Sequence, residues 1–202
     1  MQLQINNEFM VLDNKENAIQ VIYEQVNKLI EEKELVFSHL LVDGIEVYEK
    51  HEEYFNAHGD SIQLVEVIVK TKKEMLWETM QSINNYLNGA VPALKELVDA
   101  SYEQFTDKTW NGIDQLAEGM QWILQFMATT KSIEQKPAHW EDVEKAITAC
   151  EKSFQQLMEA IEMQDFILIS DILSYEVTPA LEMLAASLAV SLEDKEYLNY
   201  AN

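Results

Sequence analysis

Hydrophobic and polar positions follow two different periods along this chain, and the change falls near Lys70. Before it, short apolar runs alternate with turn residues. LQI (3–5) and EFMVL (8–12) flank Asn6-Asn7, which suits a two-residue hairpin because Asn tolerates positive φ. Asp13 then opens a helix with Glu16 as its capping-box partner, and Ala18, Ile19, Ile22, Val26, Leu29 and Ile30 form its apolar stripe. Leu35 to Val42 reads as a strand, with Asp43-Gly44 as a type I′ turn into Ile45-Glu46-Val47. Ser61 to Lys70 is apolar on both faces, the pattern of a central strand.

After Lys70 the period is 3.6. Thr71 and Glu74 make a second capping-box pattern, and Leu76, Met80, Ile83, Leu87, Val91, Leu94 and Val98 trace one face of a long helix. Gly89 and Pro92 should bend or break it. Comparable rows run from Trp110 to Met127, from Trp140 to Ile161, and from Ile169 to Leu188, the last carrying Pro179, which should kink it and free the carbonyl of Tyr175. Residues 131–137 form the clearest loop. The expected fold is α+β and mainly α. A small antiparallel sheet with one helix (1–70) leads into an antiparallel helical bundle (71–202), and no flexible linker separates them, so the two should pack as one unit.

Composition narrows what such a fold can do. The chain of 202 residues is 48% hydrophobic with only 5 Gly and 3 Pro, which is globular content. Its formal charge is -22, and every cation is Lys, since no Arg occurs. Arginine fingers and bidentate guanidinium clamps are therefore unavailable. Duplex nucleic acid and anionic membrane surfaces would be repelled, so neither is an expected partner. No apolar run approaches the roughly 20 residues of a membrane span, and MQLQINNEFM lacks the basic, apolar pattern of a secretion signal. Cys150 is the sole cysteine, which excludes an intrachain disulfide. A cytoplasmic protein is expected.

Candidate chemistry concentrates in SHLLVDGIEVYEKHEEYFNAH (38–58), which holds three of the four His residues. His51 and His58, with Glu52, are the candidate metal ligands. Yet a seven-residue spacing separates the two rings by roughly 10 Å along a helix, whereas zinc needs both nitrogens about 2 Å from one ion. HEEYFNAH is therefore not an HExxH motif, and no Glu-x-x-His exists for a di-iron bundle. His39 falls mid-strand on the face of Leu35, Phe37 and Leu41, a core or interface position. His139 has no partner in sequence. Cys150 sits in an apolar row between Ile147 and Phe154 and reads as packing. No GxSxG, phosphate loop or dinucleotide fingerprint is present, and no cofactor is expected. Nine Met residues, among them Met75, Met80, Met120, Met127, Met158, Met163 and Met183, suggest an adaptable apolar interior.

Two segments, WNGIDQLAEGMQWI (110–123) and DFILISDILSYEVTPALEML (165–184), together with SHLLVDGIEVYE (38–49), resemble an uncharacterised protein family of low-GC Gram-positive bacteria (Firmicutes). The resemblance implies a shared architecture over most of the chain and carries no activity, cofactor or catalytic residue. The leading expectation is a non-catalytic interaction or structural protein that self-associates through an apolar helix or a sheet edge. Two alternatives stand. One is a metal- or small-ligand-binding protein or enzyme, with its site between sheet and bundle and with His39, His51 or His58 acting beside nearby carboxylates. The other is an acidic export chaperone or adaptor that shields an apolar partner helix.

Overall fold

The structure is a computed structural model that describes residues 1–5, 8–12, 18–33, 35–59, 61–131 and 133–200. The chain divides into two compact units, Met1–Met75 and Leu76–Asn202. The Asn6-Asn7 turn and the Asp13–Glu16 cap lie outside the described residues.

The first unit is a five-stranded sheet with two helices. Its strands are β1 (Gln2–Ile5), β2 (Glu8–Val11), β3 (Leu35–Val42), β4 (Ile45–Val47) and β5 (Leu64–Thr71), in the order β2-β1-β5-β3-β4. The helices are α1 (Ala18–Lys33) and α2 (His51–His58). β5 is central, as its two apolar faces require. The ladders β1–β2, β3–β4 and β3–β5 are antiparallel, but β1–β5 is parallel, so the sheet is mixed rather than wholly antiparallel. Residue patterning cannot distinguish these cases, because side chains alternate with period two in both. Ile19, Ile22 and Val26 of α1 join Leu3, Val65, Val67, Leu40 and Val42 in a buried core.

Two local signals hold this unit in register. Asp43 (φ 48°) and Gly44 (φ 84°) both take left-handed backbone, as a type I′ turn demands. The Asp43 carboxylate also accepts from the backbone N–H of Leu64 at 2.8 Å and of Gln63 at 3.1 Å, tying the β3–β4 turn to the start of β5. A β-bulge between Phe37 and His39 then changes the expected facing of β3. Phe37 pairs with Val69 on the core face, while His39 pairs with Ile68 one step later and so turns to the other face with Leu41. His39 therefore does not share the face of Leu35 and Phe37.

The second unit is helical: α3 (Lys72–Glu103) from Leu76 onward, α4 (Asp107–Thr130), α5 (Trp140–Glu162), α6 (Phe166–Ile172) and α7 (Thr178–Ser191), closed by a 3-10 turn at Tyr197–Tyr200. The Thr71–Glu74 cap forms as expected: the Thr71 N–H donates to the Glu74 carboxylate (2.8 Å), and the Glu74 N–H donates to Thr71 Oγ1 (3.1 Å). α3 is not broken at Gly89 or Pro92. Pro92 is exposed, and Leu87, Leu94 and Val98 are buried on either side, so core packing carries the helix past one missing N–H. The apolar rows of all the helices meet in one core.

Pro179 is accommodated differently. A π turn, Leu173–Val177, separates α6 from α7 directly before it. The Thr178 N–H bonds back five residues to the Leu173 carbonyl, and Thr178 Oγ1 donates to the same oxygen at 2.7 Å. Widening the turn absorbs the bond that Pro179 cannot make. Thr178→Val should cost about 0.5–1.5 kcal/mol in urea unfolding, because the carbonyl keeps its backbone donor. A loss well above ~3 kcal/mol would show that the hydroxyl does more than close this turn.

Candidate functional site

The histidine-rich stretch folds into β3, β4 and α2, and its imidazoles do not converge. His51 is buried at the start of α2. Its Nε2 lies 2.8 Å from the Val47 carbonyl, which can only accept, so Nε2 carries a proton. Its Nδ1 then accepts from the Tyr23 hydroxyl at 2.9 Å. The edges of Tyr23 and Phe37 hold the ring in place. Both nitrogens are thus engaged, and a metal could reach Nδ1 only by displacing Tyr23. The Tyr23 hydroxyl titrates above its ordinary value, chiefly because it is buried and secondly because the Glu52 carboxylate is near.

His58, at the exposed end of α2, donates from Nδ1 to the Tyr54 carbonyl (3.0 Å) and lies over the Tyr54 ring (centroids 4.6 Å). Only its Nε2 keeps a lone pair. Glu52 is exposed in the first turn. His39 is buried, bonded to Ser38 Oγ at 3.0 Å and tilted over Tyr48. His139 has a left-handed backbone (φ 60°) at the N-cap position of α5 and makes no side-chain capping bond there. Among the described residues, no three His, Cys, Asp or Glu side chains come together so as to hold a metal ion. Cys150 is buried mid-helix in α5, and burial pushes its thiol up to about 12. A thiol so placed is fully protonated near neutral pH and is a poor nucleophile.

Three features escaped the one-dimensional pattern. The first is the edge strand β2, whose four residues are all exposed, with Phe9 at 65% and Val11 at 79%. The signal was present: an uninterrupted Phe-Met-Val-Leu run has no polar alternation to mark a solvent face. The second is the methionine distribution. Met80 and Met120 are buried, but Met75, Met158, Met163 and Met183 are exposed, so much of the Met content is surface. Met183 lies between the buried Leu181 and Leu184 beside the exposed Glu182, and only the assembled core decides which side of α7 is covered.

The third is a groove of about 860 Å³ along the α3–α4 pair. Ala93, Leu97 and Ala100 of α3 and Gly112, Gln115 and Gly119 of α4 form part of its walls. The glycines let the two helices engage. A Cβ on Gly112 would sit 2.7 Å from Leu97 Cδ1, and one on Gly119 would run into the Tyr86 hydroxyl. At one end of the same unit Phe105 stacks on Phe166 (4.9 Å) beside Trp110, and Tyr102 donates to Asp171 at 2.6 Å. That bond raises the Tyr102 hydroxyl to about 12, with desolvation contributing second.

These features define a class: an α+β protein whose apolar strand edge and interhelical groove lie on the surface and in which His39, His51 and His58 are held by neighbouring hydroxyl and carbonyl groups. No helix among the described residues is long and apolar enough to cross a membrane. Residues 78–187, just over half of the chain and all within the helical unit, match the family described as a domain of unknown function (DUF8042), and the chain belongs to that family. The segments 110–123 and 165–184 fall inside this match, and 38–49 falls outside it. No curated protein and no solved structure matches the chain.

Proposed function

We propose that the protein is a non-catalytic interaction protein that self-associates through the free edge of β2. The exposure of Phe9, Met10 and Val11 on an edge strand is the observation that carries this reading. A strand edge presents unpaired N–H and C=O groups, and soluble proteins ordinarily protect such edges with charge, Pro or a bulge. β2 has one charge, Glu8, at its end. Two copies paired antiparallel about the Phe9–Met10 midpoint would set Glu8 opposite Val11 of the other copy, avoiding like charges. Four residues form about four interstrand bonds at most, each worth about 0.5–1.5 kcal/mol net, so the dimer is weak and concentration-dependent. The charge of -22 opposes it at long range, and added salt strengthens it.

Sedimentation velocity over a concentration series tests this. The wild-type protein should shift from monomer to dimer in the micromolar range, and Phe9→Lys with Val11→Lys should remain monomeric with unchanged circular dichroism. A wild-type monomer throughout, or a double variant that dimerises as well as wild type, would overturn it. The same reading takes the protein to be cytoplasmic, in keeping with a chain that carries a single, buried cysteine. Its origin in low-GC Gram-positive bacteria rests on the three segments that resemble that group's uncharacterised family.

A further inference from the structure

Beyond self-association, we infer that the α3–α4 groove receives an amphipathic helix of a partner protein, with Lys or Arg flanking an apolar stripe. Shape supports a helix. The walls run from Tyr86 to Ala100 on α3, which at ~1.5 Å per residue is ~21 Å of groove. Spreading about 860 Å³ over that length leaves a cross-section of ~40 Å². A helix ~10 Å across has a section of ~80 Å², so the groove accepts one sunk to half its width over about four turns. A compact ligand would occupy only part of such a trough. Small side chains at Gly89, Ala93 and Ala100 leave its α3 wall low, so a second helix can approach closely and bury its own apolar stripe.

Charge selects the partner. Glu96 and Glu118 line the groove, are exposed, and have no ion-pair partner among the described residues. Lys95, next to Glu96, is committed to Glu182 at 2.6 Å and offers no net positive field. Lys108 at one end is the only cation in the lining. A second copy of this acidic, arginine-free chain would bring like charge to the rim, whereas a basic amphipathic helix would complement it. This surface belongs to the helical unit and is separate from the β2 edge, so either reading can fail without the other.

The probe is a labelled synthetic peptide of about 15 residues, composed of Leu, Ala and Lys with its apolar residues on one helical face. A proline-interrupted peptide of the same composition is the control for non-specific attraction. Fluorescence anisotropy should show saturable binding of the helical peptide, at least about tenfold tighter than the control, weakening as salt rises. Ala93→Phe and Ala100→Phe each fill the groove from an exposed position and should each weaken binding about tenfold with helicity unchanged. Glu96→Gln with Glu118→Gln should weaken it several-fold and flatten its salt dependence. Absence of saturation, equal affinity for the two peptides, or undiminished binding by a folded Phe variant would overturn the inference. So would a change in the protein's own oligomeric mass caused by Ala93→Phe, since that would make a second copy the occupant.

Discussion

Leu157→Ala should lower the unfolding free energy of the helical unit by about 2–5 kcal/mol. Leu157 is completely buried in the C-terminal part of α5, among the largest fully enclosed side chains of the molecule. Truncation removes the transfer energy of the lost methyl and methylene groups and leaves a cavity that rigid helices on several sides cannot close. Ile167→Ala provides the contrast. Ile167 is 74% exposed on α6, so the same kind of truncation should stay within about 0.5 kcal/mol. Urea titration followed by tryptophan fluorescence reads both, because Trp77, Trp110, Trp122 and Trp140 all lie in the helical unit. A loss below ~1 kcal/mol at Leu157 would mean that α5 does not run through the centre of the core.

Cys150 should be nearly silent toward thiol reagents in the native protein and react freely once unfolded. Its thiol ordinarily titrates near 9.0 and is raised to about 12 by burial, so near neutral pH the native thiolate population is lower by about a thousandfold. A disulfide-exchange reagent added to native and to urea-unfolded protein at one pH should show a rate ratio of at least that order. The same shift couples to stability. The folded state prefers the protonated thiol, so the associated stability is fully present below pH 9 and is lost as pH rises from 9 toward 12, with a ceiling of about 4 kcal/mol. Cys150→Ala lacks this dependence, and the wild-type and variant stability curves should converge or cross as pH rises through that window. Fast native labelling would instead show α5 opening locally, and a parallel pair of curves would show the thiol to be solvated.

Legibility divided along physical lines. Signals carried by a few adjacent residues were read correctly from the chain. The paired positive φ of Asp43-Gly44 follows from their side chains alone, and the Thr71–Glu74 cap needs only three residues of separation. The apolar rows were also legible, since Leu76, Met80, Ile83 and Leu87 of α3, and Val143, Ile147, Cys150 and Leu157 of α5, are all buried as their spacing implies. The central place of β5 followed from its two apolar faces. At Pro92 the local rule gave a bend or a break; α3 is unbroken there, with buried residues packed on both sides of the proline.

Other features depend on which residues meet across the fold. One unpaired residue at the β3 bulge reversed the facing of His39, and nothing adjacent to Ser38 announces it. The surroundings of the candidate site residues depend on the fold in the same way. His51, His58 and Glu52 are close in sequence, and what the two imidazoles face is the Val47 and Tyr54 carbonyls and the Tyr23 hydroxyl. Exposed Met163 and Met183 resemble buried Met80 and Met120 in composition and differ only in what the neighbouring helices cover.

From the chain alone came two periods of hydrophobicity, and with them a sheet followed by helices, most of the core residues, the caps and tight turn, and an acidity that constrains partners. Tertiary structure decided the parallel β1–β5 ladder, the π turn before Pro179, the exposed β2 edge and the α3–α4 groove. The physical reason is range. Periodicity and capping are set by dihedral geometry within about one or two turns of chain, whereas ladder direction, solvent exposure and cavities are set by atoms that become neighbours only when distant segments pack.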